Sequence, residues 1–150
     1  MRVIHTGRGE PIDGVLYESD FVSLHAPLTR ETHHLIDSHA LSKMPPTAIL
    51  INTARGGLVD QAALAHALEH GSIAGAALDV TDPEPLPPDD PLLRAPNLIV
   101  TPHIGSATQA ARERMADLAV DNLLDGLAGL RMPHQANELP RGTGRGERAN

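Results

Sequence analysis

Three side chains could between them hold an acid and move a proton: Arg55, Glu84 and His103. Arg55 follows Ile51-Asn52-Thr53-Ala54 and precedes Gly56-Gly57. A guanidinium placed there can grip a carboxylate through two parallel hydrogen bonds, and the glycines let backbone approach a ligand closely. The alternative is an ordinary surface arginine in a loop. Glu84 stands in Asp82-Pro83-Glu84-Pro85, where two prolines stiffen the backbone. A carboxylate so held suits the orienting of a histidine, or is a solvated loop glutamate. His103 stands in Thr101-Pro102-His103-Ile104-Gly105-Ser106. Histidine is the commonest general acid or base, and a glutamate partner would fix its tautomer. The alternative is a structural histidine bonded to a loop carbonyl, and the chain has nine histidines.

Such groups need rigid elements behind them. Val3 to Thr6 reads as a short first strand, closed by the turn cluster Gly7-Arg8-Gly9-Glu10-Pro11. Asp20 to His25 reads as a second strand, stopped by Pro27. A short helix is expected from Asp37 to Met44, capped by Asp37 or Ser38 and ended by Pro45-Pro46. Ala48 to Asn52 is apolar enough for burial on both faces, the mark of a parallel sheet. Asp60 caps a helix through His70, with Ala63, Leu64, Ala67 and Leu68 as its apolar stripe and Gly71 as its stop. Ala74 to Val80 and Leu98 to Thr101 are the remaining strands, separated by a Pro-rich loop from Asp82 to Pro96. Ser106 to Leu127 is the longest helix. Strands alternating with helices or long crossovers predict a parallel α/β sheet with right-handed connections. Chemistry in such sheets gathers at the carboxyl ends of the strands, where Arg8, Asn52 to Arg55, Asp79 and His103 all fall.

Four motifs follow in order: Leu24-His25-Ala26-Pro27-Leu28-Thr29; Ile51 to Gly57; Leu78-Asp79-Val80 with Pro83-Glu84-Pro85; and Pro102-His103-Ile104-Gly105-Ser106-Ala107-Thr108. Together they resemble the D-2-hydroxyacid dehydrogenase family over about Ser19 to Asn137, most of all its glyoxylate and hydroxypyruvate reductase branch. The resemblance implies a Rossmann-type sheet with flanking helices and hydride transfer between NAD(P)H and a small 2-oxo acid. It implies that Arg55 binds the substrate carboxylate, that His103 donates or removes the proton on the substrate oxygen, and that Glu84 hydrogen-bonds His103. Nicotinamide contacts would fall on Thr53, Ala54, Asp79, His103 and Gly105; Pro27 would line the adenosine side, with Thr32 nearby. A homodimer is the implied assembly. Arg8 bears on the cofactor: no acidic residue ends the first expected strand, and an arginine there accommodates a 2′-phosphate. NADP(H) is therefore preferred and NAD(H) possible; the alternative is a plain turn arginine.

The chain has no G-x-G-x-x-G turn after a strand to receive a pyrophosphate. Gly7-Arg8-Gly9-Glu10-Pro11-Ile12 lacks the third glycine, and Gly142-Thr143-Gly144-Arg145-Gly146-Glu147 has no strand before it. By resemblance, the first strand and helix and most of a substrate domain would precede Met1. Residues 1–132 are thus expected to be a partial dinucleotide-binding domain, and 133–150 a flexible tail. Weak cofactor binding and impaired activity are expected of such a chain. A different class of reading is a non-catalytic remnant or dimerising module. A net charge of −7 argues against a nucleic-acid surface. The absence of cysteine excludes disulfides and fits a reducing compartment. No stretch nears the roughly 20 apolar residues that span a bilayer. Met1 to His5 turns polar too soon for a signal peptide, so the cytoplasm is expected. No metal site is expected, since His33-His34 and His39 lack ligand spacing.

Overall fold

The computed structural model describes residues 1–136, which divide into two compact units, one from Met1 to Gly105 and one beginning at Ser106. The first unit holds helix α1 (Asp13–Glu18), strand β1 (Phe21–Leu24), helix α2 (Ser38–Lys43), strand β2 (Ile49–Asn52), helix α3 (Gln61–Glu69), strand β3 (Gly75–Leu78) and strand β4 (Leu98–Val100). Short 3-10 turns lie at Gly56–Leu58 and Pro91–Arg94. The four strands form one all-parallel sheet in the order β1-β2-β3-β4. In register, Val22 faces Leu50, Leu50 faces Ala76, and Ala76 faces Leu98.

The helices form where the sequence supplies caps and an apolar stripe. The Asp37 carboxylate accepts from the Ala40 amide at 2.8 Å, and Asp60 accepts from the Ala63 amide at 3.0 Å, each satisfying an orphan first-turn donor. Gly71, at φ 64°, ends α3: its amide donates to Leu68 and that of Ser72 to Ala67. Leu64 and Leu68 of α3, Leu41 of α2 and Leu16 of α1 are buried with Val22, Leu24, Leu50, Ala76 and Leu78 of the sheet. Fully burying one such leucine is worth about 2 kcal/mol. The alternate residues, Phe21, Ser23 and Ile99, lie on the opposite face of the sheet, where Phe21 is 60% and Ile99 66% exposed.

Two features depart from expectation. Val3 to Thr6 is not a strand. A strand needs a ladder partner for its backbone groups; β1 pairs only with β2, and Val3 is 75% exposed. Helix α1 was not foreseen. It is six residues long, carries Gly14 and has no side-chain cap, so its sequence signal is slight. Packing makes it: Leu16 is buried in the core, and the Asp13 carboxylate meets Lys43 of α2 at 2.7 Å. The second unit carries helix α4 (Gln109–Leu127), capped by the Thr108 hydroxyl, which accepts from the Ala111 amide at 3.2 Å. Asn122 of α4 exchanges two hydrogen bonds with the His134 backbone. Most of the segment expected to be a tail, and the second glycine-rich stretch at 142–147, lie outside the described residues. Among the described residues no helix is long and apolar enough to cross a membrane, and no three potential ligands gather as for a metal.

Candidate active site

Parallel pairing puts every carboxyl strand end on one edge of the sheet, and the chain leaves that edge through four loops. The loop after β4 carries His103. Its backbone sits at φ 52°, the left-handed region that few L-residues enter. Asp79 holds it there. This carboxylate, just past β3, accepts from the Thr101 hydroxyl at 2.5 Å, from the Ile104 amide at 2.9 Å and from the Gly105 amide at 2.8 Å. The Thr101 hydroxyl above all, then the Ile104 amide, draws the Asp79 carboxyl below the usual aspartate range, with the Gly105 amide and nearby His103 adding to the effect. A side chain at Gly105 would begin 3.0 Å from the Asp79 carboxylate, which favours a bare backbone at that position.

The imidazole of His103 then meets Glu84. Nδ1 lies 2.7 Å from the Glu84 carboxylate oxygen, and the two side chains remain 49% and 41% exposed. With Glu84 ionised it can only accept, so Nδ1 carries the proton and Nε2 is the unprotonated nitrogen of the neutral ring. Glu84 arrives from the loop after β3, whose Asp82–Pro83 and Glu84–Pro85 bonds are both cis.

Arg55 leaves β2, the strand paired with β3. Buried Asn52 shapes its turn: the amide group donates to the Arg55 carbonyl at 2.8 Å, and its oxygen accepts from the Ala54 amide at 3.1 Å. The Arg55 side chain is exposed, donates to the Ala54 carbonyl at 2.6 Å and forms no ion pair among the described residues. It makes no direct bond to Glu84 or His103. The two loops nonetheless touch, because a Cβ on Gly56 would collide with the Thr81 carbonyl. Thr53 is exposed and Ala54 half-buried at the same strand end.

Pro27 and Thr32 belong to the loop after β1. The Thr32 hydroxyl donates to the Pro27 carbonyl at 2.7 Å and accepts from the Thr29 amide at 2.8 Å, so it builds that loop. Arg8 lies in the turn before α1. It is exposed, in a turn where Glu10 accepts from the Gly7 amide at 2.9 Å, and the strand expected to carry it is absent. The sequence pointed to Asp79 and to Asn52 as polar residues at strand ends, but not to the bonds by which Asn52 shapes the Arg55 turn and Thr101 holds Asp79. Their signal was a polar residue closing an otherwise apolar strand, which reads equally well as a strand end.

Residues 3–105 match the family model described as D-isomer specific 2-hydroxyacid dehydrogenase, NAD binding domain. The chain is 51% identical over 128 residues to the glyoxylate reductase of Korarchaeum cryptofilum (strain OPF8), covering 85% of this chain and 39% of that protein. It is 56% identical over 118 residues to glyoxylate/hydroxypyruvate reductase B of Pectobacterium carotovorum subsp. carotovorum (strain PC1), covering 79% and 37%. Among solved structures, D-lactate dehydrogenase with NAD+ from Lactobacillus jensenii superposes with a TM-score of 0.78 at 36% identity, over 86% of this chain and 43% of that one. The chain therefore spans about two fifths of the length of these relatives.

Proposed function

The chain belongs to the D-isomer specific 2-hydroxyacid dehydrogenase family through its NAD-binding domain, and from that membership we propose that it carries the acid–base and carboxylate-binding half of a glyoxylate or hydroxypyruvate reductase site. The observation that carries the reading is the 2.7 Å pair of His103 and Glu84 at the carboxyl edge of the sheet. In this reading Arg55, which has no competing carboxylate among the described residues, receives the acid group of a small 2-oxo acid through its forked donors. His103, protonated, gives the Nε2 proton to the substrate oxygen during reduction and takes it back during oxidation. Glu84 accepts from Nδ1 throughout and stabilises the imidazolium. A bound nicotinamide supplies or accepts the hydride.

The residues fit that group at its nicotinamide end. A carboxylate offers about four acceptor sites, and Asp79 uses three, so one remains for an amide donor. Thr53, Ala54 and Gly105 are the neighbouring contacts of the reading, and Pro27 and Thr32 take the adenosine side. No G-x-G-x-x-G turn after a strand serves the pyrophosphate. The proposal accordingly includes weak cofactor binding and impaired turnover for the 150-residue chain alone. It also includes a preference for NADP(H) through Arg8, a homodimer, a cytoplasmic setting, and a cofactor-binding portion running from 1 to 132. A second reading, a non-catalytic dimerising remnant, draws on the uncovered sheet face at Phe21 and Ile99.

Titration of the labelled chain with NADPH and NADH, followed by amide NMR, tests the assignment. NADPH is expected to move the Thr53, Ala54 and Gly105 amides at lower concentration than NADH. Unmoved amides at saturating levels of both would leave the remnant reading standing. Glyoxylate reduction followed by NADPH absorbance is expected to run far below the ~10 s⁻¹ typical of enzymes; ordinary turnover would refute the impairment.

A further inference from the structure

Glu84 is half-exposed, on a loop whose residues from Asp82 to Pro85 are all exposed, yet the reading above needs its carboxylate at one place. Loops place side chains less well than helices do unless a supporting contact fixes them. One helix supplies such a contact here. Gln61 is the first residue of α3, immediately after the Asp60 cap. Its side-chain Nε2 donates to the Asp82 carbonyl at 2.6 Å, and its Oε1 accepts from the Asp82 amide at 2.9 Å. A primary amide thus grips both backbone groups of one residue, as a neighbouring strand would, fixing orientation as well as distance. The gripped residue lies two before Glu84. The helix behind the grip is firm: Leu64 has no exposure, and Asp60 caps the first turn. The same loop is also approached by Gly56, where a Cβ would strike the Thr81 backbone.

We propose that Gln61 is a positioning residue for the acid–base pair: its two bonds to Asp82 hold the Glu84 loop so that the carboxylate fixes the Nδ1–H tautomer of His103. The inference rests on the pair proposed above. Sequence gave no sign of it, since a glutamine at the start of a helix is ordinarily solvated.

The test is 15N NMR of the imidazole tautomer in the full 150-residue chain at about pH 8.5, where an ordinary histidine is neutral. Wild type is expected to show His103 in the Nδ1–H form alone, and Glu84→Ala to revert to the mixture seen in free imidazole. Gln61→Ala is expected to lose the single form and to exchange the Asp82 amide about tenfold faster. Gln61→Glu, which can accept from the Asp82 amide but not donate to its carbonyl, is expected to fall between. If Glu84→Ala changes nothing, the pair itself fails and takes this inference with it. If Glu84→Ala changes the tautomer and Gln61→Ala does not, only the role of Gln61 is overturned. Collapse of circular dichroism in both Gln61 variants would assign the residue to the fold and overturn the role equally.

Discussion

Asp79 does more than its place at a strand end announces. Three donors converge on it, and the charged form accepts from all three most strongly. Its folded pKa lies below the unfolded value, so its stabilisation is complete above the unfolded aspartate pKa of about 3.9 and is lost as pH falls through the folded value. Stability should therefore rise with pH across that acid window. Urea midpoints measured from pH 6 downward are expected to fall less steeply in Asp79→Asn than in the parent. The variant should also be less stable at pH 6, because an amide cannot accept from three donors without turning its own NH2 toward one of them. Identical slopes would mean that the carboxylate does not hold the His103 loop.

Elements show where sequence suffices and where it does not. Asp60, Leu64, Leu68 and Gly71 carry cap, stripe and stop within twelve residues, and α3 forms as that local pattern predicts. Asp60→Ala is expected to cost about 1 kcal/mol by chemical denaturation; no loss would mean that tertiary packing alone sets the start of the helix. The same legibility held for α2 and for strands β1 to β4, each marked by a cap or an apolar run. It failed at Val3 to Thr6, where β-rich composition is necessary but a paired neighbour is also required. It failed at α1, whose cause is Leu16 reaching a core built by later residues. The candidate site was legible as a set of ordered motifs. The Glu84–His103 contact was open to inference because both residues follow neighbouring strands. Gln61 and Thr101 were hidden, because their partners, the Asp82 backbone and the Asp79 carboxylate, are brought near only by folding.

In the whole molecule, one face of the parallel sheet carries exposed apolar side chains among the described residues. Such sheets are nearly always sandwiched between helices, yet Phe21 and Ile99 are more than half exposed. Apolar area of this kind drives association. Sedimentation of the chain is expected to show concentration-dependent self-association, reduced in Phe21→Lys and Ile99→Lys with little change in melting temperature. A monomer at all concentrations would count against it. The left-handed backbone at His103 reaches equally far. Glycine, having no Cβ, meets that conformation freely, whereas L-residues such as alanine are penalised by roughly 1–2 kcal/mol. His103→Gly should therefore melt above His103→Ala, although both discard the imidazole. Drift toward a hardier chain would pull position 103 toward glycine, so the proton transfer proposed for His103 would be kept at the expense of robustness.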